Sequence, residues 1–273
     1  MQSFIKRLLC VAGLALPLLT QAAEPLVMVV QPINSEATTR ANYQPLADYL
    51  GKRIGRDIEL RTVNNYLIFW GMARRENQFD IALDAAHMTS YRVQAHGDKV
   101  IANIPSRVSY SLLTLEDSLV LDVEELRNKK VATLPSPGLG AIRLLQMFPN
   151  PTRQPVLVRA VSTQDAIDKL RKNEVDAAII PTPLVANFDG VNVVDVTESV
   201  PAPAISVNKN MPADTVAALT KALVEMDDNA EGKAVLATAR LPGFEAASNS
   251  DYAGYHKLLF GVWGYKLTAG AAH

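Results

Sequence analysis

Two stretches of this chain, 96 positions apart, read alike: Arg75-Glu76-Asn77-Gln78-Phe79-Asp80-Ile81-Ala82 and Arg171-Lys172-Asn173-Glu174-Val175-Asp176-Ala177-Ala178. Arg, Asn, Asp and Ala recur in register at 75/171, 77/173, 80/176 and 82/178. Each stretch closes a helix-like run, turns, and enters a short apolar strand. One supersecondary unit used twice predicts two similar α/β lobes. Two such lobes facing each other leave a cleft between their strand ends, the place where ligands sit in open α/β sheets.

The first residues read as a targeting segment. Lys6 and Arg7 precede the apolar run Leu8 to Leu19, broken by Gly13 and Pro17, and the small residues Ala22 and Ala23 follow. The run is too short to span a bilayer and suits a signal peptide over residues 1–22, cut near Ala22 for export to the periplasm. Its removal takes two positive charges, moving the formal net charge from −1 to −3. That balance argues against a nucleic-acid or anionic-membrane partner. The single cysteine, Cys10, leaves too. Disulfides, thiolate nucleophiles and cysteine-held metals are thereby excluded from the mature chain.

Strand-like and helix-like runs alternate along the rest. Strands are predicted at 26–31, 57–63, 79–83 and 100–104, with helices at about 38–50 (stopped by Gly51), 66–76 and 88–95. From Arg107 the pattern restarts, with strands at 110–115, 130–134, 156–161, 177–180 and 191–196 and helices at 123–127, 141–147 and 163–172. Ser162 fits an N-cap, with Asp165 in the first turn, where the helix dipole favours a negative charge. Helices at 212–226, with Pro212 in the first turn, at 231–239 and at 251–263 complete the chain. Such alternation implies mostly parallel sheets flanked by helices. Crossings near 105–107 and 200–206 predict two hinge strands, with lobe one formed by 24–105 plus 206–266 and lobe two, 106–205, inserted within it.

Catalytic signatures are missing. The four histidines, His87, His96, His256 and His273, show no i, i+4 pair, and no phosphate-loop, dinucleotide or nucleophile-elbow motif occurs. No cofactor is expected. Binding at strand–helix junctions remains, because helix N-termini present unpaired N–H groups and partial positive charge to an anion. Four junctions stand out: Asn34 to Thr39 with Ser35; Asp84-Ala85-Ala86-His87; Pro135-Ser136-Pro137-Gly138-Leu139-Gly140; and Pro181-Thr182-Pro183. In the third, Ser136 supplies a hydroxyl while Gly138 and Gly140 let backbone N–H groups approach a ligand. Tyr66, opening a helix, could lay its ring over that ligand. The candidate site is therefore Ser35, Tyr66, Asp84, His87, Ser136, Gly138, Gly140 and Thr182.

The run Tyr43-Gln44-Pro45-Leu46-Ala47-Asp48-Tyr49-Leu50-Gly51 carries a further signal. Gly55, the 57–63 strand, Asn65-Tyr66, Phe79-Asp80-Ile81-Ala82 and Tyr91 follow it. Together they resemble the Y-x-P-L-x-x-Y-L helix and its sequel in the phosphate/phosphite/phosphonate-binding proteins of periplasmic ABC transporters. Tyr110 to Ser118, Leu126, Lys130 and Val131 resemble that family's entry into its second lobe. The resemblance implies a two-lobed type II periplasmic-binding fold that closes on a small anionic ligand and delivers it to a membrane permease. It also implies that Tyr66 contacts the ligand and that a Ser/Thr-rich loop opening a lobe-two helix grips the oxyanion. Here that loop matches at Ser136 alone, and Pro135, Pro137 and Gly138 stand where further hydroxyls are expected. Family members often carry an acid after the second Val-Asp strand to read an amino group, whereas this chain has Thr182 between two prolines. Both departures count against an aminoalkylphosphonate, and against phosphonates more widely. The expected protein is a monomeric receptor for a phosphate- or phosphonate-like oxyanion. The alternatives are a sensing subunit for a membrane histidine kinase, a binder of a non-phosphorus solute, and an enzyme on the same scaffold.

Overall fold

The computed structural model describes residues 24–267, so the expected leader, its expected cleavage point near Ala22 and the terminal His273 lie outside the described residues. Strand β1 (Leu26–Val30) leads through α1 (Glu36–Ile54), β2 (Ile58–Arg61) and α2 (Tyr66–Ala73) to β3 (Ile81–Asp84), α3 (Ala86–His96) and β4 (Lys99–Asn103). The chain then crosses at β5 (Arg107–Val108) into β6 (Tyr110–Leu115), β7 (Lys130–Thr133), α4 (Leu139–Met147), β8 (Val156–Arg159), α5 (Thr163–Arg171), β9 (Ala177–Pro181) and β10 (Val191–Val196). It returns at β11 (Val200–Pro201) to β12 (Ala204–Val207), α6 (Ala213–Val224), α7 (Ala230–Ala239) and β13 (Glu245–Ala246).

Two sheets result, ordered β13-β4-β12-β3-β1-β2 and β10-β6-β9-β7-β8. Without β13, the orders β2-β1-β3-β12-β4 and β8-β7-β9-β6-β10 are the same order built twice. In each, the first strand of the unit runs parallel to its two neighbours. The fourth is the strand that has just crossed from the other sheet, and it runs antiparallel to its neighbours. The sheets are therefore mixed, because a strand arriving from the far sheet enters from the opposite end. The crossings themselves pair, Val200 with Val108 and Pro201 with Arg107. Arg107 donates to the side chain and the carbonyl of Ser199, both at 2.9 Å.

The sequence repeat has a physical cause. Asn77 and Asn173 both adopt the left-handed conformation, φ 58° and 55°, which asparagine tolerates better than most side chains. Three residues later each unit places an aspartate against the first strand of its own sheet. Asp80 accepts from the Val27 amide and Asp176 from the Lys130 amide, each at 2.8 Å. The aspartate amides return bonds to the Val27 and Lys130 carbonyls, again at 2.8 Å.

Element ends differ from expectation where local chemistry decides. Helix α1 starts at Glu36, capped by Ser35, and runs past Gly51 to a left-handed Gly55. Gly51 lies inside the helix, where a side chain would meet the Arg56 carbonyl at 2.9 Å. Pro212 is the N-cap of α6 rather than its first residue. The predicted helix at 251–263 is two short 3-10 turns, Asn249–Tyr252 and Tyr255–Leu259, separated by Gly254 at φ 83°, where a right-handed helix cannot continue.

Apolar faces of α1, α6 and α7 cover one side of the first sheet, burying Leu46, Leu50, Leu219 and Leu236. On its other side α2, α3 and the C-terminal turns enclose Phe69, Trp70, Met88 and Leu259. One cluster crosses between the sheets, joining Ala86, Val100 and Tyr252 to Tyr110, Leu112, Leu139 and Ile179.

Beneath α3 lies a buried polar network. Arg92, 1 % exposed, pairs with Asp84, 0 % exposed, and its Nε lies 3.2 Å from Asp98. It also donates to Ser206 of β12, and Thr89 donates to Asp84. The returning strand is thus tied to α3 by a charge whose partners are all inside the protein. Replacing Arg92 with Met is expected to destabilise by about 3–5 kcal/mol, since it leaves Asp84 buried without its countercharge. Adding Asp84→Asn to that variant should recover part of the loss, as urea unfolding would show.

Candidate functional site

Lobe-one and lobe-two elements meet around a small enclosed cavity of about 10 Å³, the size of a single water. Its walls are Tyr66, Tyr110, Thr133, Leu134, Gly138, Leu139, Gly140, Thr163, Ala166, Ile179, Ile180 and Pro181. Tyr66 comes from the first turn of α2, held by the Asn65 side chain capping the Ile68 amide at 2.9 Å. Its hydroxyl donates to Gln31 at 3.1 Å, and the same Gln31 oxygen accepts the Ala85 amide at 3.0 Å. One side chain at the end of β1 thereby fixes the starts of α2 and α3 together.

The opposite wall is the start of α4. Gly138 is its N-cap and no side chain caps the helix. Helix geometry therefore leaves the first-turn N–H groups of Leu139, Gly140 and Ala141 without intrahelical partners. All three residues are buried, where an unpaired amide is costly. Gly140 is required by the approach of its neighbours: a side chain there would meet the Thr133 hydroxyl at 3.1 Å and the Tyr110 ring at 3.2 Å. A second helix start, that of α5, brings Thr163, whose hydroxyl is buried and has no partner in the protein. Ser162 caps that helix by accepting from the Asp165 amide at 3.1 Å, as the sequence indicated.

Of the eight expected residues, Tyr66, Gly138 and Gly140 line this cavity. His87 touches the lobe-two loop: its Nε2–H donates to the Pro137 carbonyl at 2.8 Å, across the gap between the lobes. Ser136 is half buried beside that contact and does not line the cavity. The other three are engaged elsewhere in the fold. The Ser35 hydroxyl is exposed and occupied with capping α1, 3.2 Å from the Thr38 amide. Asp84 is turned under α3, where Arg92 and Thr89 hold its carboxylate. Thr182 is bound to Ser109 at 2.8 Å and Ser111 at 2.9 Å, knotting the end of β9 to β6.

Sequence reasoning missed Tyr110, Thr133 and Thr163. Thr163 carried a signal, being a hydroxyl one residue into a capped helix, in the same relation to its strand as the other junctions. Tyr110 and Thr133 carried none, since they sit within strands and reach the cavity through the pairing of β6, β9 and β7.

The cavity is electrically neutral. Burial pushes the Tyr66 and Tyr110 hydroxyls above their ordinary value, so both remain protonated donors. Burial also pulls His87 down to about 4. Among the described residues no charged side chain lines the walls; Arg143, on α4, donates to the Glu198 carbonyl at 3.3 Å. Among the described residues no group of three or more His, Cys, Asp or Glu is placed to hold a metal ion, and no helix is long and apolar enough to cross a membrane.

The profile of the family described as "ABC transporter, phosphonate, periplasmic substrate-binding protein" matches residues 28–252. No curated protein matches the chain by sequence. Among solved structures, PhnD1 from Prochlorococcus marinus in complex with methylphosphonate superposes with a TM-score of 0.74 at 12% identity, covering 86% of this chain and 97% of that one. A binding-protein component of a phosphonate ABC transporter from Pseudomonas aeruginosa gives 0.69 at 16% identity, covering 84% and 83%. XAC2383 from Xanthomonas citri bound to chloride gives 0.70 at 14%, covering 86% and 96%. At these identities the likeness establishes the fold, the two-lobed type II arrangement that the paired strand orders display.

The His87 contact has a pH consequence. The unfolded chain takes up a proton near the ordinary imidazole value of about 6.5, whereas the folded protein holds His87 neutral down to about 4. Unfolding free energy should therefore fall as pH drops through that window, by up to about 3 kcal/mol from this residue. Comparing urea unfolding of wild type and His87→Gln between pH 7 and 4 should show a flatter dependence in the variant.

Proposed function

Because the chain belongs to the periplasmic substrate-binding proteins of phosphonate ABC transporters, we propose that it captures a phosphonate-like oxyanion between its two sheets and presents the closed complex to a membrane permease. The carrying observation is the convergence of the uncapped start of α4 with Tyr66, Tyr110 and Thr163 on one cavity. Backbone N–H groups at a helix start and neutral hydroxyls suit an oxyanion, because each adds a donor while the helix dipole supplies partial positive charge.

In this reading residues 1–22 are an export leader removed near Ala22. Residues 24–105 with 206–266 make one lobe and 106–205 the other. The paired crossings β5 and β11 are the hinge about which the lobes part to admit the ligand. The cavity is smaller than a tetrahedral oxyanion, so entry requires that opening. The His87–Pro137 bond and the Tyr66 side of the cavity then re-form against α4 on closure. As in the rest of the family, the role is to bind and hand over a solute rather than to transform it.

Thermal unfolding in the presence of methylphosphonate tests this. At about 100 times its Kd the ligand should stabilise the protein by about 2.7 kcal/mol. Tyr110→Phe should weaken Kd by about ten- to a hundredfold through loss of a hydrogen bond to a charged group. A panel of phosphorus oxyanions with no effect on the midpoint would defeat the proposal.

A further inference from the structure

Among the described residues the second sheet, β10-β6-β9-β7-β8, ends on two strands with a neighbour on one side only. Strand β10 pairs with β6 and strand β8 with β7. Along β8 the amides of Val156 and Ala160 bond inward to the Lys129 and Thr133 carbonyls, at 2.8 and 2.9 Å. Alternate residues of a ladder turn the opposite way, so Leu157 and Arg159 direct their N–H and C=O groups outward. An open edge of this kind can take up a further strand.

Both edges are apolar, and they carry opposite charge. Beside β10 lies the loop after β6, whose Glu116 amide meets the Gly190 carbonyl at 3.3 Å and whose Glu116 carbonyl accepts from the Asn192 side chain at 3.3 Å. Val120 of that loop turns inward to the core, while its neighbours Leu119 and Leu121 are 91 % and 76 % exposed. Val193 and Val196 of β10 are exposed as well. Residues 116–125 hold five carboxylates and 189–198 hold three, with no lysine or arginine in either segment. Arg127 pairs with Glu124, whereas Arg171 and Arg143 reach only the carbonyls of Asp189 and Glu198. On the opposite edge Val156, Leu157 and Val161 are exposed. Arg153 and Arg159, both exposed, are the only charged residues between 150 and 162. Asp165, whose carboxylate accepts the Val161 amide at 2.9 Å, is matched by Lys169 at 3.0 Å.

We propose that these edges receive a second copy of this chain, the acidic apolar β10 edge of one molecule docking on the basic apolar β8 edge of the next. Like charge on both edges would hold copies apart. Opposite charge draws them together and disfavours pairing of β8 with β8 or of β10 with β10. Direction also fits. Strand β7 runs parallel to β8 and β9, and β6 runs antiparallel to β9 and β10, so β10 and β8 point the same way. One sheet can therefore follow another without reversal, giving β8 a second parallel neighbour like β7. The contact is heterologous, leaving each copy one edge free for a further molecule. A single pair of short strands belongs at the weak end of specific interfaces, so association rises with concentration and falls with salt. Neither β8 nor β10 lines the cavity, and copies can associate with it loaded or empty.

Sedimentation velocity of the mature protein over a range of concentrations, at low and high salt, tests this. At low salt the average mass is expected to climb with concentration to twice the chain mass or beyond, and high salt should weaken association by about tenfold or more. Arg153→Glu with Arg159→Glu removes the basic edge, and Glu116→Lys with Asp117→Lys disrupts the acidic one. Either pair of changes should weaken self-association by about tenfold or more. An equimolar mixture of the two variants should associate again, because each keeps the edge the other has lost. That recovery also shows that both variants fold. A wild type that stays monomeric at every concentration overturns the proposal. So do variants that associate as well as wild type, a mixture that stays monomeric, or association that strengthens with salt.

Discussion

In each sheet one aspartate, Asp80 or Asp176, holds the first strand at its starting amide while its own amide bonds back to that strand's carbonyl. The reciprocal pair sets the register between the first strand and the one following the second helix. The left-handed asparagine three residues earlier turns the chain out of the helix at the angle this pairing needs. Two helix-to-strand joints of the same design yield two sheets of the same strand order. The cavity walls are placed from them, because the helices that supply those walls start where the strands of these sheets stop.

Placing the two units face to face is a separate task, performed by the crossings. Their paired strands are only two residues long. The returning strand β12 is then locked within the first sheet by Arg92, through Ser206 on that strand and Asp84 on its neighbour β3. Buried charge of this kind is a poor source of net stability and a good source of specificity, since a misplaced strand leaves Arg92 unpaired. The network also explains why the acid that looked available to a ligand is not.

Charge is kept off the cavity walls. The polar groups of the lining are tyrosine and threonine hydroxyls and the amides that open α4, while Arg143, on α4 itself, is not part of it. His87 is held neutral by burial, with Nε2–H on Pro137 and Nδ1 unpartnered. Its part is to join the lobes, one hydrogen bond from α3 to the loop that opens α4.

How far the residues spoke for themselves depended on the range of the interaction. The doubled Asn-x-x-Asp joint, the N-cap Ser162 and the alternation of elements were legible, because caps, turns and periodicity are local properties of backbone and side chain. Tyr66, Gly138 and Gly140, which line the cavity, stood out in the sequence for the same reason, each standing at a helix start. The breaking of the 251–263 run at Gly254, the withdrawal of Asp84 under α3, the knot that ties up Thr182, and the arrival of Tyr110, Thr133 and Thr163 at the cavity all depend on partners from other parts of the fold. A short motif determines which backbone groups are free at a junction. Only the packed structure decides which side chains are already taken, and so which of them are left to meet a ligand.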